Sequence, residues 1–228
     1  MDDLKQRIAR LSPEKRALLE QQLVAHLPKA DSGSVIPPRP MQGPAPLSFS
    51  QERLWFLAQL YPDQTTYNEA NAYRFRGQLN LVALQTALNA VVGRHEILRT
   101  TYQSQDGRPR QIISPSRPVP LPVVDLTDVE VDERVTEVQQ RFQEVIAEPF
   151  DLSSDLMVRC CLYRLGRNDH ILLAVRHHIA SDGWSSRVFW KEIVEQYRAG
   201  VSGQSASLPP LSIQYADYAV WQRAVSYT

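Results

Sequence analysis

The amino-acid sequence predicts an α/β fold, more closely an α+β sandwich, in which a mixed sheet is flanked by helices. Residues 171–175 form an uninterrupted apolar run rich in branched side chains, which is typical of a central strand buried on both faces. Residues 156–163 alternate in the manner of a neighbouring strand, and the apolar residues of 81–91 recur at helical spacing. A chain of 228 residues is long enough for one good core of this kind.

Composition and charge narrow the classes of partner. The chain is 43% hydrophobic and 22% charged, as is ordinary for a globular protein. Its 25 basic and 25 acidic residues cancel, so no global field recruits nucleic acid or an anionic membrane. No apolar signal core begins the chain, and no segment approaches the roughly 20 apolar residues that span a bilayer. We therefore expect a cytoplasmic protein with neither nucleic acid nor membrane as a partner.

The first part of the chain predicts a segment separate from the main domain. Residues 1–28 carry two short amphipathic helical runs, and Ser12 with Pro13 supplies the start of the second. Such a pair buries little surface alone, so it packs either on its own domain or on another protein. Residues 29–46 are rich in proline and small residues and predict a semi-rigid, extended linker. The main domain is predicted to cover 47–228.

The main domain is predicted to open with a helix, a strand and a second helix. Ser48 or Ser50 can cap the first helix. Residues 67–77 alternate as a strand does, and Asn80 then caps a helix that ends near Gly93.

A hairpin and an irregular crossing are predicted next. Asp106 and Gly107 supply the turn signal of a hairpin whose strands are 98–104 and 108–113. Four prolines in 115–122 indicate an irregular crossing rather than a central strand.

The second half of the chain is predicted to complete the sheet and to end on a helix. A helix over 131–147 precedes the alternating strand, which pairs with the central strand through a turn at 166–169. Cys160 and Cys161 are adjacent on that strand, so their side chains point to opposite faces and offer no disulfide framework. One is expected in the core and the other near the surface. Residues 215–221 form a helical stretch whose aromatic residues pack on one face.

A pair of histidines follows the central strand directly. Successive side chains on a strand point to opposite faces, so His177 and His178 cannot both face one cavity while the strand continues. One is expected to face a reactant and the other the scaffold. Gly183 then frees the backbone for a tight turn, and apolar residues beyond it recur at helical spacing. The order of strand, histidine pair, turn and helix indicates a platform for a general base.

Four strings in order carry a resemblance to a known family. The string HHIASDGWS at 177–185 resembles the HHxxxDG signature of condensation domains of nonribosomal peptide synthetases, which have the chloramphenicol acetyltransferase-like fold. The strings SFSQERLWFL at 48–57, RHEILRTTY at 94–102 and YADYAVW at 215–221 are similar to three further motifs of that family. Ser50 replaces the usual Ala and Tyr102 the usual Phe, both mild departures. The string PFDL also matches, but the residues after it depart from the frequent Gly-Pro-Leu.

The resemblance implies roles for individual residues. His178 would act as a general base or as a positioning hydrogen-bond acceptor, and His177 would be structural. For Asp182, a salt bridge that shapes the site fits its place in a turn better than a role as the carboxylate that orients His178. The backbone amide of Gly183 would lie near a developing oxyanion. The residues expected to shape the site are Arg53, Arg94, Arg99, Ser181 and Trp184.

The resemblance also implies a reaction and its partners. Condensation domains form amide bonds between thioesters held on carrier proteins. Upstream and downstream peptidyl carrier proteins would be the partners and would supply the phosphopantetheine arm. An adjacent adenylation domain or an upstream synthetase, the latter through residues 1–28, would be a further partner. The sequence has no phosphate loop and no metal-ligand constellation, so no cofactor or metal bound directly to this chain is expected.

The resemblance covers nearly everything from Leu47 to Trp221, whereas condensation domains are about twice this long and consist of two similar lobes. We therefore expect the chain to be the N-terminal lobe and to need the second lobe for activity. Two other functions stay open. One is another enzyme of the superfamily, an epimerisation domain or an acyltransferase that uses coenzyme A; Gly183-Trp184-Ser185 and the RHEILRT string favour condensation over both. The other is a non-catalytic docking or recruiting module.

Overall fold

The computed structural model describes residues 35–40 and 43–225. The predicted helical segment 1–28 and much of the predicted linker lie outside these residues. The compact unit that holds the sheets begins at Pro37, before the predicted boundary at Leu47. Two contacts explain the earlier start. Ala45–Pro46 pairs as a short strand with Gln111 and Arg110, and the Arg39 guanidinium lies 2.8 Å from the Asp217 carboxylate.

Strands and helices follow one another in a mixed order. A 3₁₀ helix at Glu96–Arg99 separates the second α-helix from the third strand. The elements are β1 (Ala45–Pro46), α1 (Phe49–Leu60), β2 (Asn68–Arg76), α2 (Leu81–Arg94), β3 (Thr100–Gln105), β4 (Arg108–Ile113), β5 (Val123–Asp125), α3 (Arg134–Ile146), β6 (Val158–Gly166), β7 (Asp169–His177), α4 (Gly183–Val201) and α5 (Tyr215–Val225). Within the described residues, no helix has the length and apolar character needed to cross a membrane.

Two sheets form the framework. The larger sheet has the strand order β2-β7-β6-β5, in which β5 runs parallel to β6 and the other pairs are antiparallel. The smaller sheet has the order β1-β4-β3 and is antiparallel. The prediction of a mixed sheet flanked by helices is therefore confirmed, as is the pairing of β6 with β7.

The central strand β7 is buried on both faces. Leu172 and Ala174 pack in one apolar cluster with residues of α2 and α4. Leu173 and Val175 point the other way, into a second cluster that includes Val138 of α3. Because both faces are covered, the strand has no polar side and is read in the sequence as a continuous apolar run.

Local signals set the ends of several elements as predicted. The Ser48 side chain accepts a hydrogen bond from the backbone amide of Gln51 and caps α1. The Asn80 side chain caps α2 by accepting from the backbone amide of Ala83. Asp106 and Gly107 have φ values of 51° and 74°, so the β3–β4 turn requires left-handed backbone, which Asp and Gly tolerate.

Four local predictions need correction. Residue Leu98 and its neighbour Arg99 lie in the 3₁₀ helix, so the third strand starts later than predicted. The helix predicted over 131–147 is shorter at both ends. The strand predicted from Leu156 begins at Val158 and runs on to Gly166. One of the two adjacent cysteines was expected near the surface, but Cys160 and Cys161 are both buried because the sheet is covered on both faces.

Candidate functional site

The two histidines occupy the end of β7, and their side chains face opposite ways. His177 is the last residue of the strand and is only 4% exposed. The side chain of His178 is 43% exposed. The backbone amide of His178 donates to the carbonyl oxygen of Tyr67 at 2.8 Å, which continues the pairing with the neighbouring strand. One histidine was expected to face a reactant and the other the scaffold; His177 lies in the scaffold and His178 points outwards, while the contact with a reactant stays a prediction.

His177 is held as a neutral ring in the scaffold. Its Nδ1 accepts a hydrogen bond from the backbone amide of Ile179 at 3.1 Å. The rings of Tyr67 and Phe150 lie 6.2 Å and 5.9 Å from the imidazole, centroid to centroid. Burial, followed by the nearby charge of His178, lowers the pKa of His177 to about 4. A ring in this state fixes the turn after β7 and does not take up a second proton near neutral pH.

His178 contacts a carboxylate that the sequence analysis did not single out. Its Nδ1 lies 2.7 Å from Oε1 of Glu69, a residue of the adjacent strand β2. Glu69 pairs directly with Arg176, two residues before His178, so both side chains lie on the same sheet face as the imidazole. Only the register of β2 on β7 brings them together, and no local sequence pattern signals that register. A carboxylate at Nδ1 leaves Nε2 as the nitrogen free to meet a reactant.

Asp182 caps the helix that follows the histidines. Its Oδ1 accepts hydrogen bonds from the backbone amides of Trp184 at 3.1 Å and Ser185 at 2.7 Å, and the Ser185 hydroxyl accepts from the Asp182 amide. The hydrogen bond from the Ser185 amide is the largest cause that lowers the pKa of Asp182, against an opposing effect of burial. Within the stretches 35–40 and 43–225, Asp182 forms no salt bridge, so the arginine partner stays a prediction.

Gly183 is the first residue of α4 and does not adopt left-handed backbone. The expectation that a tight turn requires glycine here is therefore wrong, because Asp182 ends the loop in extended backbone and the helix starts at once. A Cβ built on Gly183 would meet nothing within 4 Å. The space beside this backbone is open, which fits the expected close approach of a substrate.

Ser181 and Trp184 border a small cavity beside the histidine loop. Ser181 is buried, whereas Trp184 is 74% exposed. The cavity has a volume of about 110 Å³, and Arg176 and Phe189 also line it. The Arg176 guanidinium is buried, donates to the side chain of Asn71, and lies 4.9 Å from the centre of the Phe189 ring. Burial lowers the pKa of Arg176.

The three arginines expected to shape the site make their contacts away from His178. Arg94 places its Nε 3.2 Å from the carboxylate of Glu192 on α4. Arg99 donates to the carbonyl oxygen of Ser114. Arg53 is exposed on α1. Their charged groups support the packing or face solvent, and the structure does not bring them to the histidine pair.

Comparisons with known proteins agree on one family. The model of the condensation domain family matches residues 41–227. The phosphinothricin tripeptide synthetase PhsC of Streptomyces viridochromogenes is 43% identical over 98% of this chain, which covers 20% of that relative. The nonribosomal peptide synthetase TES of Alternaria alternata is 39% identical over 90% of this chain and 4% of its own length. The chain therefore spans a small part of these relatives.

Solved structures show the same fold. The X-domain from teicoplanin biosynthesis is 33% identical, with a TM-score of 0.75 over 84% of this chain and 41% of its own. The first condensation domain of the calcium-dependent antibiotic synthetase, solved with a substrate analogue, is 25% identical, with a TM-score of 0.73 over 81% of this chain and 44% of its own. The partial coverage is consistent with an N-terminal lobe. The chain belongs to the condensation domain family of nonribosomal peptide synthetases and has the chloramphenicol acetyltransferase-like fold.

Proposed function

We propose that this chain carries the histidine half of a site that forms an amide bond between two carrier-bound thioesters. One observation carries the proposal. His178 presents an imidazole that is 43% exposed at the end of a buried strand, while its neighbour His177 is locked in the scaffold. The names of the curated relatives, which are peptide synthetases, support the same reaction class.

The reaction sets three tasks for the site, which must align the amine with the thioester, move a proton and stabilise an oxyanion. An amine nitrogen attacks the thioester carbonyl carbon, a C–N bond forms, and the C–S bond breaks. The amine loses a proton and the leaving thiolate gains one. An imidazole titrates near neutral pH and can carry that proton, so Nε2 of His178 is assigned the role of base or positioning acceptor.

The carbonyl oxygen becomes an oxyanion during the attack and needs hydrogen-bond donors. The backbone amide of Gly183 is the proposed donor. It lies at the start of α4, where the helix dipole favours negative charge, and the open space beside Gly183 leaves room for a carbonyl group. The phosphopantetheine arms arrive on the upstream and downstream carrier proteins and are part of the substrates.

Activity is proposed to need a second lobe. An acyl transfer site gains from water exclusion and from donors fixed on both sides of the substrate. The exposed side chains of His178 and Trp184 supply one side only.

The test is a single-turnover condensation assay with donor and acceptor aminoacyl carrier proteins. The chain is assayed alone and together with the C-terminal lobe of a condensation domain, as wild type and as His178→Ala. His170→Asn is the control, because His170 lies on the same strand at its other end. We expect dipeptidyl carrier protein from the two-lobe mixture, retained in His170→Asn and lost in His178→Ala. Equal product from His178→Ala would contradict the assignment.

A docking or recruiting module is the second candidate function. The observation that favours it is the 33% identity to the X-domain, which has also been solved in a complex with OxyB from the same biosynthesis. Under this function the two-lobe mixture would bind carrier proteins and form no dipeptide. The same assay, read together with carrier binding by calorimetry, separates the two functions.

A further inference from the structure

We infer that Glu69 is a positioning residue for His178, a carboxylate that fixes which imidazole nitrogen carries the proton and stabilises the ring once it is protonated. The inference rests on the proposed function in one respect, namely that His178 handles the amine proton. It adds a residue from β2, outside the histidine motif, to the site.

Backbone pairing fixes the two side chains relative to each other. Asn68 pairs with His177 and Glu69 with Arg176 in the antiparallel register of β2 on β7. The amide of His178 extends this pairing by its 2.8 Å bond to Tyr67. The pairing of two adjacent strands therefore holds the carboxylate and the imidazole together. The 2.7 Å contact between them does not rely on a flexible loop.

The contact selects a tautomer of His178. An ionised carboxylate only accepts hydrogen bonds, so at 2.7 Å it requires a proton on Nδ1. The neutral ring then has an unprotonated Nε2, since the bond made by one nitrogen sets the state of the other. That nitrogen is the one a base needs to present to the substrate amine.

Charges around the ring explain why Glu69, rather than Asp182, is the orienting carboxylate. The Asp182 Oδ1 already accepts from the backbone amides of Trp184 and Ser185. The Glu69 carboxylate contacts the imidazole. The buried Arg176 lies opposite Glu69 on the neighbouring strand, and its positive charge interacts favourably with that carboxylate. Glu69 from β2 thus contacts the His178 ring directly, whereas Asp182 at the start of α4 interacts with it only through its charge.

The proton balance of the step is simple. The amine N–H proton moves to Nε2 as the C–N bond forms, and Nδ1–H keeps its bond to Glu69. The ring is then a cation beside an anion, which lowers the energy of the charged intermediate. Nε2–H next gives its proton to the departing thiolate, and the ring returns to its first state.

The first test reads the tautomer by ¹⁵N NMR on the chain itself, at a pH where the ring is neutral. The His178 signal is assigned by its loss in His178→Ala. We expect protonated Nδ1 in the wild type and a mixture of tautomers in Glu69→Ala. Glu137→Ala is the matched control, because Glu137 is 30% exposed against 32% for Glu69 and also contacts a cationic partner, Arg141, at 2.6 Å. A tautomer that is unchanged in Glu69→Ala would overturn the inference.

The second test measures the single-turnover rate of the two-lobe mixture. Loss of the partner that orients a metal-bound imidazole typically costs about 10- to 100-fold in activity, and we expect a loss of the same order for His178 in Glu69→Ala. Glu69→Gln keeps an acceptor oxygen without the charge and should recover part of it, while Glu137→Ala should match the wild type. An unchanged rate in Glu69→Ala would also overturn the inference. If even the wild type forms no dipeptide, the proposed function fails, and the NMR result alone decides whether Glu69 orients His178.

Discussion

Glu192 and His95 are joined by a 2.7 Å contact between the carboxylate Oε2 and the imidazole Nε2. Glu192 lies in the middle of α4, whose first turn follows the histidine loop, and His95 follows the last residue of α2. Arg94 adds its Nε at 3.2 Å from the same carboxylate. The charged start of the RHEILRT string is thus tied to the helix that begins at the site, and its role in this structure is to hold two helices together.

Glu192→Ala is expected to destabilise the domain. Glu192 is buried, and its removal leaves Arg94 and His95 without their carboxylate partner, which should lower the free energy of unfolding by about 2–3 kcal/mol. Urea unfolding followed by circular dichroism measures the change. The control is Glu195→Ala on the same helix, where the carboxylate is 3.9 Å from Lys191 and more exposed, so little change is expected. Equal effects of the two variants would contradict a structural role for Glu192.

Tyr102→Phe is expected to cost about 1 kcal/mol of stability, the size of one buried hydrogen bond. The Tyr102 hydroxyl is buried and accepts a hydrogen bond from Nε2 of Gln51 at 3.1 Å, which links β3 to α1. The family pattern has Phe at this position, so the ring itself should still fit. Thermal unfolding of Tyr102→Phe, compared with that of Tyr73→Phe at a half-exposed tyrosine, tests the value. A midpoint that moves no more than that of Tyr73→Phe would show that the hydroxyl contributes nothing.

The lowered pKa of His177 predicts that the free energy of unfolding depends on pH in a definite direction. Its folded pKa of about 4 is below the ordinary value of about 6.5, so the unfolded chain binds more protons between these values. The free energy of unfolding should therefore fall as the pH drops from about 6.5 to about 4, by up to about 3 kcal/mol, and the loss from this group should end below that window.

The variant His177→Asn isolates this contribution, because an amide oxygen can accept the bond from Ile179 and does not titrate. Urea unfolding is measured for both proteins between about pH 7 and about pH 4. Carboxylates titrate in both, so the difference between the two curves reports His177. Parallel curves would mean that this histidine keeps its ordinary titration.

Local sequence patterns predicted the elements around the site well. Three features follow from residues close together in the sequence. They are the apolar run of β7, the opposite faces of His177 and His178, and the cap of α2 by Asn80. Periodicity and capping are local, so a sequence shows them directly. The same is true of the Asp106-Gly107 hairpin.

The charged contacts of the site could not be predicted in this way. Glu69 reaches His178 only through the register of β2 on β7, and Glu192 reaches His95 only through the packing of α4 on α2. Both glutamates occupy positions where a solvated surface residue would fit the local pattern equally well. Pairing between segments far apart in the chain leaves no spacing to detect in a single sequence. The Gly183 expectation was wrong for a different, local reason, because the cap by Asp182 starts the helix without a special turn.

Asp182 is expected to tolerate replacement by Asn but not by Ala. Asp and Asn are about equally good N-caps, whereas an Ala at this position typically costs about 1 kcal/mol. Both oxygen-bearing side chains can accept from the amides of Trp184 and Ser185. Urea unfolding should therefore rank Asp182→Asn near the wild type and Asp182→Ala below it, with the exposed Asp128→Ala as control.

The single-turnover rate then separates the cap from the predicted salt bridge. If Asp182 only caps α4, Asp182→Asn should keep the wild-type rate in the two-lobe mixture, because the helix start and Gly183 stay in place. If the carboxylate instead pairs with an arginine of the second lobe, Asp182→Asn should lose activity while its stability is unchanged, since Asn cannot replace the charge. Loss of activity in Asp182→Asn at wild-type stability would thus favour the salt bridge. A normal rate would leave Glu69 as the carboxylate whose charge the histidine uses.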